Sequence, residues 1–365
     1  MRLCLANKKI PLLMQVSIAT QALICVCTFP PTSLLIRNLP MPQKNADVLG
    51  IGNAIVDVIA RHDDSFLTDN ALDKGAMLLI DEDEAVSLYA KIGPATEISG
   101  GSAANTIAGV TSLGGTAVYI GKVATDQMGD VFAHDIRASG VSFDTPALSG
   151  GPQTARCIVI VTPDGQRTMS TYLGACAMLG PDDVSEPQVA AATITYLEGY
   201  LWDRPNAKEA FRKAAKLAGG NGRQVALTLS DSFCVDRHRE SFLSLIRDGV
   251  DILFANEAEI LSLYQTSSLQ EAMAAVAQDC SLAAITRSEK GSAIVTGDTV
   301  TEVAAQPVEQ VVDTTGAGDL YASGFLFGHA NGKPAAECAR LGHVAAAEII
   351  SHIGARPQAP LKSLI

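Results

Sequence analysis

Positive charge is in short supply. The 365 residues hold 27 Lys and Arg against 39 Asp and Glu, a net charge of −12. Residues 1–46 carry five of the basic residues (Arg2, Lys8, Lys9, Arg37 and Lys44) and no acid, which leaves −17 for the rest. So acidic a body is a poor match for nucleic acid or an anionic membrane surface. Any phosphate it handles has to be attracted locally, by the groups of one site. Ligand spacing for a metal is lacking as well. The eight cysteines are scattered, with no C-x-x-C pair and no His/Cys pattern, so neither a zinc site nor a disulfide framework is readable. A reducing, cytoplasmic setting is expected. No G-x-x-x-x-G-K-[ST] run is present, which excludes a P-loop. Internal repeats and low-complexity linkers are absent too. What remains, 47% apolar and 18% charged residues, suffices for a sizeable core in one large or two modest domains.

Between Lys9 and Arg37 there is no charged residue, and residues 12–36 are mostly apolar. Gln15, Gln21, Pro30 and Pro31 interrupt that run, and no small-residue cleavage site follows it. Residues 1–45 are therefore expected to be an N-terminal extension, with Met41 the true initiator in preference to a targeting segment. The body is expected over 46–357, with 358–365 as a tail.

From Val118 onward, short β-rich runs alternate with helix-periodic stretches. Residues 118–120, 193–197, 224–229, 252–254 and 282–285 read as buried strands. Helices are expected over 126–139 (closed by Gly140), 206–217, 236–247, 257–264 and 269–278. This alternation predicts a doubly wound α/β fold, a mostly parallel sheet covered on both faces. One region breaks the rhythm. Residues 154–161 and 166–173 flank Pro163-Asp164-Gly165, a strong turn signal, and read as a hairpin that 76–80 could join. A small antiparallel sheet, with strands from about 54–82 and 154–173, is expected to project from the main sheet.

The most specific stretch is Val312-Asp313-Thr314-Thr315-Gly316-Ala317-Gly318-Asp319, followed by a helix-periodic apolar run over 320–327. At a strand-to-helix turn, small residues let the N–H groups of Gly316, Ala317 and Gly318 approach an anion, which the helix N-terminus also favours. An aspartate there would repel a phosphate. The economical reason for Asp319 is that it removes the proton from a hydroxyl attacking that phosphate. Tight packing and capping explain each residue singly but not the eight together.

Other residues gain meaning from position. Asn53 and Asp57 follow the first strand. A carboxylate at a strand end suits a vicinal diol, because it accepts two hydroxyl donors; a solvated turn aspartate is the plain alternative. In Gly100-Gly101-Ser102-Ala103-Ala104-Asn105-Thr106, Gly100 and Gly101 permit close approach of a ligand, and Asn105 can both donate and accept. Asn256 and Glu259 have the spacing of a capping box. Arg167, in the hairpin, is either a solvated side chain or a phosphate ligand.

These two motifs, in this order and separation, closely resemble the paired signatures of the ribokinase family of sugar and nucleoside kinases. The resemblance runs from about Ala46 to about Pro357. It implies the ribokinase-like fold with a β lid, and an ATP-dependent kinase working with Mg2+. Asp319 would be the base, and Gly316, Ala317 and Gly318 the donors to the transferring phosphoryl group. Asp57, with Asn53, Gly100, Gly101 and Asn105, would bind the acceptor. Asn256 and Glu259 would organise magnesium and the ATP phosphates through water. Thr286 and Gly291 would lie beside the nucleotide, while Ser288 between them stands where many sugar kinases have glycine. Asp313 and Thr315 fall where many members bind a monovalent cation such as K+.

Two details resemble adenosine kinases in particular: the opening Gly52-Asn53-Ala54-Ile55-Val56-Asp57, and the stretch 337–350 containing His343. The second implies that His343 lies near the ATP base. The expected reaction is phosphorylation of the 5′-hydroxyl of a nucleoside, adenosine first, by a monomer or homodimer. A sugar acceptor (ribose, fructose or a ketodeoxy acid) is the alternative. A dinucleotide oxidoreductase, suggested by Gly50-Ile51-Gly52, is excluded because Ile55 occupies the third glycine position.

Overall fold

The computed structural model describes residues 45–365. The expectations for the preceding stretch, Met41 included, lie outside the described residues. The chain runs through β1 (Ala46–Ile51), β2 (Ile55–Arg61), α1 (Asp64–Asp69), β3 (Met77–Leu79), α2 (Glu82–Lys91) and β4 (Thr96–Gly100). It continues through α3 (Ser102–Ser112), β5 (Ala117–Ile120), α4 (Gln127–Ala138), β6 (Ser142–Phe143), β7 (Ala155–Val161) and β8 (Arg167–Tyr172). Next come α5 (Glu186–Ala191), β9 (Ala192–Glu198), α6 (Pro205–Gly220), β10 (Gln224–Thr228), α7 (Ser232–Gly249) and β11 (Ile252–Asn256). The last third holds α8 (Glu257–Tyr264), α9 (Leu269–Asp279), β12 (Leu282–Thr286), β13 (Ser292–Thr296), β14 (Thr299–Val303), α10 (Ala317–Ala330) and α11 (Ala335–Ile349).

Nine strands form the main sheet, in the order β14-β13-β12-β11-β10-β9-β1-β5-β6. Every pairing from β12 to β6 is parallel, and β13 and β14 close one edge antiparallel. Its strands feed two cores by strict alternation. Ile252 and Phe254 enter the core shared with Ile107, Phe132 and Phe325, while Leu253 between them enters the core shared with Phe211, Phe242 and Val276. Burial on both faces is what makes these strands continuous apolar runs rather than alternating ones.

The predicted helices are present, with instructive end points. Asp126 caps α4 by accepting the Gly129 N–H at 2.8 Å, and Gly140, at φ 84°, lies just past its end. Helix α7 begins a turn earlier than its periodicity predicts, because Asp231 caps it through the Cys234 N–H at 2.6 Å. The five described cysteines are free and buried.

The smaller sheet has the order β3-β8-β7-β2-β4. Strands β7 and β8 form the expected hairpin, and β3 joins it. This sheet is mixed, not purely antiparallel: β2 pairs β7 in parallel, as β3 does β8. Chain direction explains it. Strands β2 and β7 both leave the main body, whereas β4 and β8 return to it, so neighbouring outbound strands run side by side. Strand β4 lies outside the expected lid segments. Nor is the end of the chain a loose tail, since Leu361 is fully buried beside Leu113 and Leu320.

Topology also places the site. Strand β1 is flanked by β5 on one side and β9 on the other, so the chain reverses its winding direction there. Ligands of open α/β sheets bind past the carboxyl ends of the strands at such a switch point.

Candidate active site

A cavity of about 1500 Å³ opens there. Single small-molecule sites run to roughly 300–1,000 Å³, so there is room for two ligands side by side. Of the residues singled out from sequence, all but Gly100 and Asp313 line it. Gly100 lies beneath Asp57, and Asp313 lies behind Thr315.

Asp319 is in the first turn of α10, one face of which packs on α3. Ser102 Oγ donates to its Oδ1 at 2.6 Å and Asn105 Nδ2 to its Oδ2 at 3.0 Å. Each oxygen is thus oriented by a separate residue of α3. Burial raises its pKa, against the hydrogen bonds from Ser102 and Asn105 and the charge of Arg356. A raised value moves a carboxylate towards the range of a useful general base. Among the described residues Asn105 Oδ1 is buried with no hydrogen-bond partner, an acceptor with no donor yet supplied.

Asp57 projects from β2 towards the same space. Burial pushes its pKa up to about 6, with Arg356 and Arg167 opposing and Asp319 adding to the rise. Its carboxylate rests against Gly100, where a Cβ would come within 2.3 Å. Gly101 has φ 95°, and a Cβ there would meet the Asn53 carbonyl at 2.2 Å, so this turn requires glycine.

The turn before α10 has Gly316 in the left-handed region, at φ 79°. The Ala317 N–H, expected to face the anion, donates instead to the Thr314 carbonyl at 3.2 Å. Asp313, expected with Thr315 at a cation site, forms an ion pair with Arg167. Its two oxygens also accept the Thr315 and Gly354 N–H groups, each at 3.0 Å. Arg167 further donates to Thr315 Oγ1 at 3.0 Å, so the lid arginine is tied to the phosphate turn.

At the other end, Asn256 and Glu259 make the capping box in full. Asn256 Oδ1 accepts the Glu259 N–H at 2.9 Å, and Glu259 Oε2 accepts the Asn256 N–H at 3.0 Å. Burial lifts Glu259 to about 7 even so. Among the described residues no group of three or more His, Cys, Asp or Glu could hold a metal alone. A carboxylate and an amide oxygen whose own hydrogen bonds are largely used fit a magnesium held mainly by water and phosphate oxygens. Ser288 adopts φ 52°, the conformation that glycine favours, and Gly291, at φ 86°, would place a Cβ 2.0 Å from the Val303 carbonyl. His343 is buried, its Nε2 sharing a hydrogen bond with Ser292 Oγ at 2.9 Å, and Tyr321 donates to the same oxygen at 2.8 Å. Burial lowers its pKa, which favours the neutral form of the ring in the wall.

Three residues that buttress the acceptor half, Ser102, Glu198 and Arg356, carry no role in the reading from sequence. Ser102 stands inside a motif whose sequence points first to its glycines and to Asn105. Glu198, at the end of β9, accepts Asn53 Nδ2 at 2.6 Å and the Ala103 N–H at 2.8 Å, and burial pushes it up to about 7. A carboxylate at a predicted strand end was the available signal. Arg356 gave none.

Residues 79–362 match the family described as pfkB family carbohydrate kinase. Among solved structures, a probable sugar kinase from Rhizobium etli CFN 42 is 54% identical with a TM-score of 0.82, over 88% of this chain and 98% of that one. The adenosine kinase from Sinorhizobium meliloti is 58% identical with a TM-score of 0.81, over 87% and 98%. Adenosine kinase 2 of Arabidopsis thaliana is 25% identical over 84% of this chain and 94% of its own length.

Proposed function

Because the chain belongs to the pfkB family of carbohydrate kinases, and is thus an ATP-dependent kinase, we propose that it phosphorylates the 5′-hydroxyl of a nucleoside, adenosine before others. The observation that carries this reading is the contrast between the two walls of the acceptor space. Its floor is polar, with Asn53, Asn105 and Asp319. The underside of the small sheet is mainly apolar, with Ile55, Ile59, Met77, Leu79, Val159 and Met169 around the polar Asp57, Arg167 and Thr171. Met77 and Leu79 are more than half exposed while Val159 is buried, so among the described residues the uncovered part of that surface lies along β3. A free sugar is polar on every side and would lose hydrogen bonds against such a wall. A nucleoside offers a ribose to the floor and a planar base to the ceiling. The likeness to a solved adenosine kinase at 58% identity supports the same choice.

In this mechanism Asp57 and Asn105 Oδ1, unpaired among the described residues, accept hydroxyl donors of the ribose. Asp319, oriented by Ser102 and Asn105, takes the proton of the 5′-hydroxyl as its oxygen bonds to the γ-phosphorus and the bond to ADP breaks. The N-terminus of α10, with the Gly316 and Gly318 N–H groups, receives the phosphoryl charge. Ala317 joins them only if its bond to Thr314 opens. Arg167 stands beside that turn, tied to Thr315 and sharing its charge with Asp313. Asn256 and Glu259 would hold magnesium through water, and the ion would neutralise phosphate charge.

The deciding experiment offers ATP with adenosine, other nucleosides, ribose and fructose in turn. Adenosine is expected to give the highest kcat/KM; a preference for a sugar would overturn the assignment and leave the phosphate half of the site intact.

A further inference from the structure

Three consecutive residues near the C-terminus touch both halves of the site. The Gly354 N–H donates to Asp313 Oδ2 at 3.0 Å. Ala355 lies so near the phosphate turn that a Cβ on Gly316 would be 3.1 Å from its own Cβ. Arg356 then reaches the acceptor loop. Its Nε donates to the Ser99 carbonyl at 3.1 Å, Nη1 to the Ala104 carbonyl at 2.7 Å, and Nη2 to Ser99 Oγ at 2.9 Å. Ser99 is fully buried and donates onward to Asp135 Oδ2 through its N–H at 2.8 Å and its hydroxyl at 2.6 Å. Ser99 and Ala104 bracket the turn that carries Ser102, and Asn105 follows directly. These are the two residues that hold the oxygens of Asp319.

We propose that Arg356 is a positioning residue for phosphoryl transfer: its guanidinium fork fixes the 99–104 loop so that Ser102 and Asn105 present Asp319 to the acceptor hydroxyl, and its charge faces Asp57 and Asp319. This rests on the reading of Asp319 as the base. Two carbonyls and a hydroxyl in fixed directions match a planar fork of donors, and a lysine ammonium cannot reach all three. The charge is equally well placed. Arg356 faces Asp135, Asp57, Tyr119 and Asp319. It lowers the pKa of both Asp57 and Asp319, which sit close together with Glu198 in a cleft that otherwise favours their neutral forms.

The test compares wild type with R356M, R356K and D319N in kcat, both KM values, the pH profile of kcat and thermal melting. In R356M, kcat should fall roughly ten- to a hundredfold, the scale of an ångström's misplacement. Its KM for ATP should hardly change. The acid limb of kcat should move up by about one pH unit, because a carboxylate that has lost a facing cation keeps its proton more tightly. R356K retains the charge, so its limb should stay in place while kcat still falls. Wild-type kcat in R356K would overturn the role of the fork, and an unmoved limb in folded R356M would overturn that of the charge. If R356M does not fold, R356K decides alone. D319N with near-normal kcat would refute the base itself, whatever Arg356 does; an inactive D319N beside a fully active R356K would refute only the present inference.

Discussion

The Asp57 carboxylate packs against Gly100 so closely that a Cβ on Gly100 would lie 2.3 Å from Oδ2 and 2.4 Å from Cγ. The atoms in the way belong to the end of a side chain, which can rotate aside, so the fold should tolerate Gly100→Ala while the site does not. The variant is expected to raise KM for the acceptor about tenfold or more, the effect of losing roughly 1.4 kcal/mol of binding. Its Tm should fall by only about 2–4 °C. An unchanged acceptor KM would show that Asp57 does not face the acceptor.

Asp319→Asn keeps the shape of the side chain and removes its capacity to take a proton. Turnover should drop by roughly two to four orders of magnitude. Nucleotide affinity, measured by titration with ATP alone, should stay close to wild type, because the contacts of Asp319 are with Ser102 and Asn105 on the acceptor side. Near-normal turnover would remove Asp319 from the mechanism.

Much of this architecture was legible because it is local. The octapeptide ending at Asp319 needs glycine where φ is positive, and the strand runs are continuous because both faces are covered. What was hidden is set by contacts between distant segments. Arg356 meets Ser99 across 257 residues, and no spacing in the chain announces that pairing. The direction of β2 beside β7 depends on two separate excursions from the body, which a pattern read strand by strand does not relate. The pairing of Asp313 with Arg167 likewise follows from where the lid hairpin returns, not from either residue's neighbours.

Ser288 stands at φ 52°, a conformation that costs an ordinary residue about 1–2 kcal/mol. Glycine removes that cost but gives more freedom to the unfolded chain. Ser288→Gly should therefore stabilise the protein modestly, by about 0.5–1 kcal/mol in denaturant unfolding. A loss of stability would mean that the serine side chain makes a contact worth more than the strain.

Glu259 combines a capping role with a place in the nucleotide half of the cavity, and Glu259→Gln separates them, since glutamine also serves in capping boxes. Its pKa is raised in the fold from 4.5 to about 7, so its favourable contribution is complete below about pH 4.5 and is lost as pH rises through 7. At pH 8 the variant should be at least as stable as wild type, and at pH 5 it should have no advantage. If the charge organises magnesium and phosphate, KM for MgATP should rise roughly tenfold at pH 8. Melting curves at both pH values with steady-state kinetics at pH 8 check the two halves, and an unchanged KM would reduce Glu259 to a helix cap.

Asp57 gives the sharpest discrimination between acceptors. An ionised carboxylate facing a vicinal diol accepts two charge-assisted hydrogen bonds, each typically worth about 1.5–3 kcal/mol. Protonated, it loses most of that capacity. With its pKa at about 6, kcat/KM for adenosine should climb as pH rises through that value, and Asp57→Ala should lower it and flatten this dependence. In the same variant KM for adenosine should rise strongly while KM for ATP stays nearly constant, because Asp57 lies in the acceptor half of the cavity. A poorly seated acceptor should also hinder closure of the β7–β8 hairpin and the exclusion of water. The control is 2′-deoxyadenosine, which lacks one hydroxyl of the pair. Wild type should discriminate against it, and the alanine variant should lose most of that preference. Equal discrimination by the two proteins would show that Asp57 does not read the 2′-hydroxyl, and the acceptor would then have to be sought among sugars bound in another orientation.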